Sequence, residues 1–192
     1  MAVAQVAPKL LDATVAVLGE VGWDGLSLER VAERAGVSRV TLWRQGVTKE
    51  ALVEALLERL AADYRDAMWP VLTADATGRE RLGRALEALC DVADRHLELL
   101  LISDEVFHRA PANFLEPLVR ALRDGYADGS LRRLGTADDA ADAIFNTVCW
   151  GYVHLRARHK WSVSRTRASI LGLVAEGYAA TDSADSVSRS KT

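Results

Sequence analysis

The chain has 192 residues, a formal net charge of −3, 49% hydrophobic residues and 27% charged residues. Its length allows one or two domains with a substantial core, and its richness in Ala and Leu with only four prolines favours helices throughout. The slightly negative net charge argues against a protein that coats nucleic acid through bulk positive charge. Cations concentrated in one part of an acidic chain, as between Gly36 and Lys49, suit a sequence-specific binder instead.

The two cysteines, Cys90 and Cys149, lie far apart in apolar stretches and show no spacing typical of a metal site or a disulfide. We therefore expect buried free thiols in a reducing compartment, with a redox switch as the alternative. No signal peptide or long apolar span is visible, so the expected location is the cytoplasm. Neither a metal nor a cofactor is predicted.

Apolar residues at helical spacing predict a first helix from about Pro8 to Val21, which Gly22 ends. Trp23 follows in a Gly-Trp-Asp-Gly turn, where it is expected to fill the core between helices rather than to contact a ligand. Ser27 is predicted to cap a second helix.

The stretch from Gly36 to Glu50 has the order of parts expected of a helix-turn-helix. Gly36 permits a left-handed turn, Ser38 caps a short third helix that runs to about Gln45, and Leu42 is its main apolar anchor. A helix with so few apolar side chains and so many hydrogen-bond donors presents a face to a partner. The alternative is a solvated surface helix.

Thr48 is predicted to cap a fourth helix that ends at Trp69, before Pro70. A polar region with a Thr-Gly pair follows and places a domain boundary near residues 65–78. The predicted domains are residues 1–62 as a helix-turn-helix head, 63–180 as a helical body and 181–192 as a disordered tail.

Four more helical regions are predicted in the body. The first runs from Arg79 to about His96 and is followed by a very apolar run to Phe107. Another follows Pro111 and ends near residues 125–129. A single long helix is expected from Asp138 to Arg158, and Ser162 or Ser164 caps a last one.

Three motifs of the head resemble one family in order and spacing. They are the run Leu26 to Ser38, the triplet Thr41-Leu42-Trp43 and the segment Thr48 to Leu52. Together they resemble the DNA-binding head of the TetR family of one-component transcriptional regulators. The remaining two thirds of the chain resemble that family only in the number and length of helices.

The resemblance implies an all-α fold, with an N-terminal three-helix helix-turn-helix domain and a C-terminal helical ligand-binding and dimerisation domain. It also implies a homodimer that binds double-stranded operator DNA, usually as a repressor, and that a small-molecule effector releases. One position departs from the family pattern. Gly46, followed by Val47, stands where family members usually have an aromatic, so either Trp43 and Val47 take over the packing or the joint is more flexible.

Geometry and resemblance together place the start of the third helix against the bases. Arg39 and Arg44 could bond guanine, and Val40 or Thr41 could touch a thymine methyl group. Trp43, which could be half packed, and Lys49 are expected at the phosphate backbone, where Ser27 and Ser38 could also donate. The predicted DNA-binding residues are Ser27, Ser38, Arg39, Val40, Thr41, Trp43, Arg44 and Lys49.

The resemblance further implies an effector pocket and a four-helix dimer interface in the body. An uncharged apolar or aromatic effector is expected because these stretches carry few charges. The candidate pocket residues are Met68, Trp69, His96, Leu100, Phe107, His108, Phe114, Tyr126, Phe145, Asn146, Cys149 and Trp150. The candidate interface residues are Ile144, Val148, Tyr152, Ile170, Leu173 and Val174, and part of this stripe must also serve as intramolecular core.

Catalysis is not predicted, because the sequence shows no paired carboxylates, no nucleophile with a base and no metal-ligand spacing. The alternative functions are a helical small-molecule-binding protein or a structural protein with a vestigial DNA-binding head.

Overall fold

The computed structural model describes residues 6–101 and 113–178, and these ranges fold into ten α-helices and one π-helical turn. The predicted all-α class is confirmed. Among the described residues, no helix combines the length and the apolar content that crossing a membrane requires. The predicted tail, residues 181–192, lies outside the described ranges.

The head begins with α1 (Pro8–Gly25), α2 (Leu28–Ala35) and α3 (Arg39–Arg44). Gly22 leaves the helical conformation (φ 67°, ψ −172°), as its predicted role requires, but α1 resumes after this kink and continues to Gly25. The predicted break of the helix at Gly22, after Val21, is therefore confirmed, and a short helical stretch follows the kink. Trp23 is partly buried and packs against the core, which confirms its predicted place between helices.

Helix α4 (Lys49–Thr73) joins the head to the body. The predicted end at Trp69 is wrong, because Pro70 lies inside the helix. Proline removes one N–H donor from the helical ladder, and so close to the C-terminal end only the last turn is affected. The Thr73 hydroxyl donates a 2.9 Å hydrogen bond to the Trp69 carbonyl in that turn.

The body continues with α5 (Gly78–Arg95), α6 (Leu97–Leu100) and α7 (Glu116–Ala127). Thr77 and Glu80 form a reciprocal capping box at the start of α5. A Cβ atom on Gly78 would lie 2.0 Å from the backbone nitrogen of Gly125, so glycine at this position lets α5 and α7 approach closely.

The last part of the chain forms α8 (Ala137–Phe145), a π-helical turn (Asn146–Trp150), α9 (Gly151–Ala157) and α10 (Val163–Tyr178). The expected single helix from Asp138 to Arg158 is therefore interrupted by a wider turn. The Asn146 side-chain amide donates to the Asp142 carbonyl at 2.9 Å and competes there with the backbone ladder. Ser162, rather than Ser164, accepts the cap bond, from the Arg165 N–H at 3.3 Å.

The helices of the body run between one end that lies near the head and another end that lies away from it. At the end near the head, α6 follows α5, and a Cβ on Gly19 of α1 would lie 3.4 Å from the Glu98 side chain. The Arg156 guanidinium bonds Asp94 at 2.6 Å, so the turn between α9 and α10 is also at this head end. At the far end, Arg132 donates to the Gly177 carbonyl at 2.7 Å.

Both cysteines are free and buried in the body, as predicted. Burial raises the pKa of Cys90 and of Cys149 to about 12. Thiols in this state are poor nucleophiles near neutral pH. A redox switch at these thiols therefore finds no support in their surroundings.

Candidate nucleic-acid interface

The start of α3 is fixed by the turn that precedes it. Gly36 adopts the left-handed conformation (φ 65°). Its N–H donates to the Glu33 carbonyl at 3.1 Å, and the Val37 N–H donates to the Ala32 carbonyl at 2.9 Å. These two bonds form a Schellman motif, which satisfies the last carbonyls of α2 and sets the direction in which α3 leaves.

A second Schellman motif closes α3. Gly46 is also left-handed (φ 66°), and its N–H donates to the Trp43 carbonyl at 3.0 Å. The Val47 N–H donates to the Leu42 carbonyl at 3.0 Å, and Val47 and Leu42 are both buried. Val47 therefore packs in place of the missing aromatic, whereas Trp43, which was expected to share that packing, remains exposed.

Capping serines begin both helices of the motif, as predicted. The Ser38 hydroxyl accepts the Thr41 N–H at 3.1 Å and lies 2.8 Å from the Thr41 hydroxyl. Ser27 accepts the Arg30 N–H at 3.4 Å. Capping therefore accounts for both serines, and their role at phosphate stays a prediction.

The outer face of α3 is open to solvent. Leu42 is the buried residue of the helix, at 1% exposure, whereas Val40 is 55% exposed and Trp43 is 78% exposed. The alternative that half of Trp43 is packed does not hold in this structure, because most of the side chain is exposed. The side chain is free to meet a partner.

The cations of α3 differ in their surroundings. Arg39 forms a 2.8 Å ion pair with Glu29, and both side chains are largely exposed. The Glu29 backbone N–H at the start of α2, together with the Arg39 charge, lowers the pKa of Glu29. Arg44 is exposed and forms no ion pair with the residues that the structure describes. Arg39 would have to leave Glu29 to bond a base, whereas Arg44 would not.

Lys49, the other predicted phosphate contact, is partly buried inside the head. Its ammonium donates to the Trp23 carbonyl at 2.8 Å and lies 3.8 Å from the centre of the Trp23 ring. Lys49 thus ties the start of α4 to the end of α1. The contact between Lys49 and Trp23 was not predicted from the sequence, because residues 26 positions apart give no local signal.

Six of the predicted pocket residues line two neighbouring spaces. Leu100, Phe114, Phe145 and Cys149 line one small cavity of about 10 Å³, which has room for no more than a water molecule. Met68 and Trp69 line an open groove of about 350 Å³ between α4 and the start of α7.

Tyr64 lies between the cavity and the groove and lines both. Its hydroxyl donates to the Phe114 carbonyl at 2.6 Å, and burial raises its pKa. The sequence analysis did not name Tyr64 as a site residue, although it continues the four-residue spacing of Leu56 and Leu60 on the inner face of α4.

Four other predicted pocket residues line neither space. His96 is buried and its Nε2 lies 2.8 Å from an oxygen of Asp63, Asn146 is exposed and bonds Asp142, and Trp150 is half-buried. Tyr126 faces a separate surface groove with Arg133 above its ring. These four residues do not lie with the others in one preformed space, and their role in effector binding stays a prediction. Phe107 and His108 lie outside the described residues.

The predicted dimer residues are mostly core of a single chain. Only Leu173, at 71% exposure, is open to a partner, whereas the other five are at most 7% exposed. These side chains are turned inward, because α8 packs against α7, whereas the π-helical turn, α9 and α10 pack against α5. The five buried residues are Ile144, Val148, Tyr152, Ile170 and Val174.

Comparison with known proteins agrees with this geometry. Residues 10–56 match the family described as bacterial regulatory proteins, tetR family. The match spans α1, α2, α3 and the start of α4. No curated protein matches the chain.

Solved structures match the chain over most of its length. The TetR family transcriptional regulator PfmR from Thermus thermophilus is 18% identical, with a TM-score of 0.72 over 87% of this chain and 97% of that chain. The fatty acid degradation regulator FadR from Bacillus halodurans is also 18% identical, with a TM-score of 0.74 over 88% of this chain and 96% of that chain. A TetR family regulator from Agrobacterium tumefaciens is 17% identical, with a TM-score of 0.71 over 90% of this chain and 96% of that chain. At sequence identities of 17–18%, the similarity to these structures establishes the fold alone.

Proposed function

We propose, from the premise that this chain carries the DNA-binding head of the TetR family of bacterial regulatory proteins, that it is a transcriptional repressor. It binds operator DNA as a homodimer, and a small-molecule effector releases it. It has no enzymatic role.

The observation that carries the proposal is the geometry of α3. Two Schellman motifs and the buried Leu42 hold the helix, while Val40, Trp43 and Arg44 project into solvent. A helix held in this way can enter the major groove without rearranging the head. Arg44 is the first candidate for a bidentate contact with guanine, because no described ion pair has to be broken.

A dimer is proposed because a single short helix reads too few base pairs for an operator. The outward faces of α8 and α10 are available for the partner. They carry small exposed residues such as Ala143 and Ala168, together with the exposed Leu173. Small side chains allow two helices to approach closely, and Leu173 adds apolar area.

The effector is proposed to enter at the groove beside Trp69 and to extend past Tyr64 into the cavity behind it. The cavity is lined by apolar side chains, which suits an uncharged apolar or aromatic molecule. At about 10 Å³ it must widen to accept a ligand. Because Tyr64 belongs to α4, its displacement would act on the helix that also begins beside α3.

The test is a mobility shift with the purified full-length protein on duplexes selected from a random-sequence library and on the DNA upstream of its own gene. Arg44→Ala is the variant expected to lose binding, and Arg84→Ala is its matched control. A retarded complex that weakens with Arg44→Ala, and that an apolar or aromatic compound dissociates, is expected. A folded dimer that shifts no duplex even at low salt would leave the alternative of a helical binding or structural protein with a vestigial head.

A further inference from the structure

The segment between α9 and α10 concentrates positive charge far from α3 in the sequence. Residues 154–167 contain five Lys or Arg residues, two histidines and no acid, in a chain whose net charge is −3. Two of these cations are neutralised within the body. Arg156 pairs with Asp94 at 2.6 Å, and Arg167 pairs with Asp91. These pairs anchor the segment to the end of α5.

The other three cations face solvent. Arg158 and Lys160 are exposed, and the Arg165 guanidinium lies 3.7 Å from the centre of the Trp161 ring. None of the three forms an ion pair with a residue in the described ranges. We call Arg158, His159, Lys160 and Arg165 the basic turn.

Hydrogen bonds fix the backbone of the basic turn. Lys160 adopts a left-handed conformation (φ 55°), which L-residues other than Asn and Asp rarely do. The Trp161 N–H donates to the Leu155 carbonyl at 3.1 Å, and the Arg156 guanidinium donates to the Trp161 carbonyl at 2.5 Å. These bonds hold an uncommon conformation that presents the Lys160 side chain outward.

The basic turn lies at the head end of the body. Asp94, which holds Arg156, is in the last turn of α5, and α6 follows it directly. Glu98 of α6 lies against Gly19 of α1 in the head. The exposed cations therefore lie on the side of the body from which the head extends, whereas Gly78 and Gly177 mark the opposite side.

We propose that the basic turn is a second DNA-contacting surface, which neutralises phosphates of the duplex between the two half-sites. This inference rests on the proposed function, since a dimer formed through α8 and α10 would bring the two basic turns together between its two heads. The DNA between two half-sites then runs past both turns. Contacts of this kind add affinity that depends on salt and not on base sequence.

The position and chemistry of the basic turn favour DNA over an anionic lipid surface. A membrane-binding surface needs exposed apolar side chains beside its cations. The apolar members here are Leu155 and Trp161, which are half-buried, and Arg165 covers the Trp161 ring. The surface that remains is charged without an apolar face.

The experiment compares the full-length protein with the variant Arg158→Gln/Lys160→Asn/Arg165→Gln. Asparagine tolerates the left-handed conformation of Lys160, so the backbone is retained while the charge is removed. The matched control is Arg79→Gln/Arg84→Gln/Arg120→Gln, which removes the same charge from exposed positions of α5 and α7. Affinity for a selected operator and for a mixed-sequence duplex of roughly 30 base pairs is measured by fluorescence anisotropy across a range of salt concentrations.

The basic-turn variant should bind both duplexes roughly ten-fold or more weakly at moderate salt. Its plot of log affinity against log salt should be flatter by about 0.9 for each phosphate that the protein no longer neutralises. Neutral methylphosphonate linkages between the half-sites should weaken the wild type and not the variant. The control variant should follow the wild type.

An unchanged salt slope in the basic-turn variant overturns the inference while leaving the proposed function intact. Equal weakening in the control variant also overturns it, because net charge alone would then account for the effect. If the wild type binds no duplex, the proposed function is wrong, and this inference is wrong with it. Turn-dependent binding to phosphatidylglycerol vesicles with unchanged DNA binding would assign the surface to lipid instead. Should the triple variant unfold, Arg158→Gln alone gives the same comparison at one exposed position.

Discussion

The ammonium of Lys49 lies 3.8 Å from the centre of the Trp23 ring and 2.8 Å from the Trp23 carbonyl oxygen. One side chain thus joins the first turn of α4 to the kinked end of α1. The positive charge lies at the positive end of the α4 dipole, and the ring face and the carbonyl offset that cost. This contact therefore contributes to the position of α4 in the head, beside the buried apolar side chains of α4.

Lys49→Ala is expected to lower the free energy of unfolding by about 1–2 kcal/mol, since it removes a charged hydrogen bond and a cation–π contact. Urea denaturation of the purified protein measures this change. Glu58→Ala, an exposed change on the same helix, is the reference. Unchanged stability together with a flatter salt slope in DNA binding would assign Lys49 to phosphate instead.

Arg44→Ala is expected to weaken operator binding by roughly 1–3 kcal/mol, since Arg44 is exposed on the open face of α3. Anisotropy titration on a selected operator and on single-base variants of it gives both the decrease in affinity and the base concerned. The stability of the fold should not change. Arg84→Ala, an exposed arginine on α5, serves as the control and should bind normally. Equal binding by the Arg44 variant would remove this residue from the interface.

Gly46→Ala is expected to destabilise the head by about 1 kcal/mol, because its left-handed φ of 66° is costly for a residue with a Cβ. No neighbouring atom lies within 4 Å of the added Cβ, so the cost comes from the backbone alone. Gly83→Ala, in the middle of α5 and equally uncrowded, should instead stabilise the protein by roughly 0.5–1 kcal/mol. Thermal unfolding distinguishes the two signs, and a stabilising effect at Gly46 would contradict the left-handed turn.

The buried His96 and its partly exposed partner Asp63 predict a pH dependence of stability. Burial lowers the pKa of His96 even though Asp63 lies 2.8 Å away. Burial acts to raise the pKa of Asp63, but the bonds from His96 and Arg95 outweigh it and leave that pKa lowered. At about pH 6, therefore, His96 takes up protons more readily in the unfolded chain than in the folded one.

Stability should consequently fall as the pH drops below the ordinary histidine pKa of about 6.5. The depressed pKa of Asp63 adds a loss that begins only near its own, more acidic range. Urea midpoints at about pH 7.5 and about pH 5.5 measure the first effect, and His96→Gln should reduce the difference. His154→Gln, at an exposed histidine, should leave the difference as in the wild type. A wild type that gains stability on acidification would contradict the neutral state of His96.

Leu173→Glu is expected to dissociate the proposed dimer, because Leu173 is 71% exposed on α10 and a carboxylate there would be buried against the partner. Light scattering after size-exclusion chromatography gives the mass of the particle. Leu134→Glu, at a 51% exposed leucine before α8, is the matched control and should remain associated. A Leu173→Glu protein that stays dimeric would place the interface elsewhere.

The helix-turn-helix could be predicted from the sequence because its determinants are local. Ser27, Ser38 and Thr48 each bond a backbone N–H three residues ahead, and Gly36 permits a conformation that most residues avoid. Such signals require only neighbouring residues and the period of an α-helix. The order of the head helices and the positions of their caps therefore follow from the chain alone.

Tertiary structure decided which apolar side chains remain exposed. Helical periodicity predicts Ile144, Val148, Tyr152 and Leu173 alike as core positions. Three of them are buried and Leu173 is exposed, because packing against the neighbouring helices fixes which face of each helix is buried. The pairing of Lys49 with Trp23 and the place of the basic turn beside the head depend likewise on contacts between distant segments. Sequence patterns repeat along one helix, whereas these features depend on how several helices pack together.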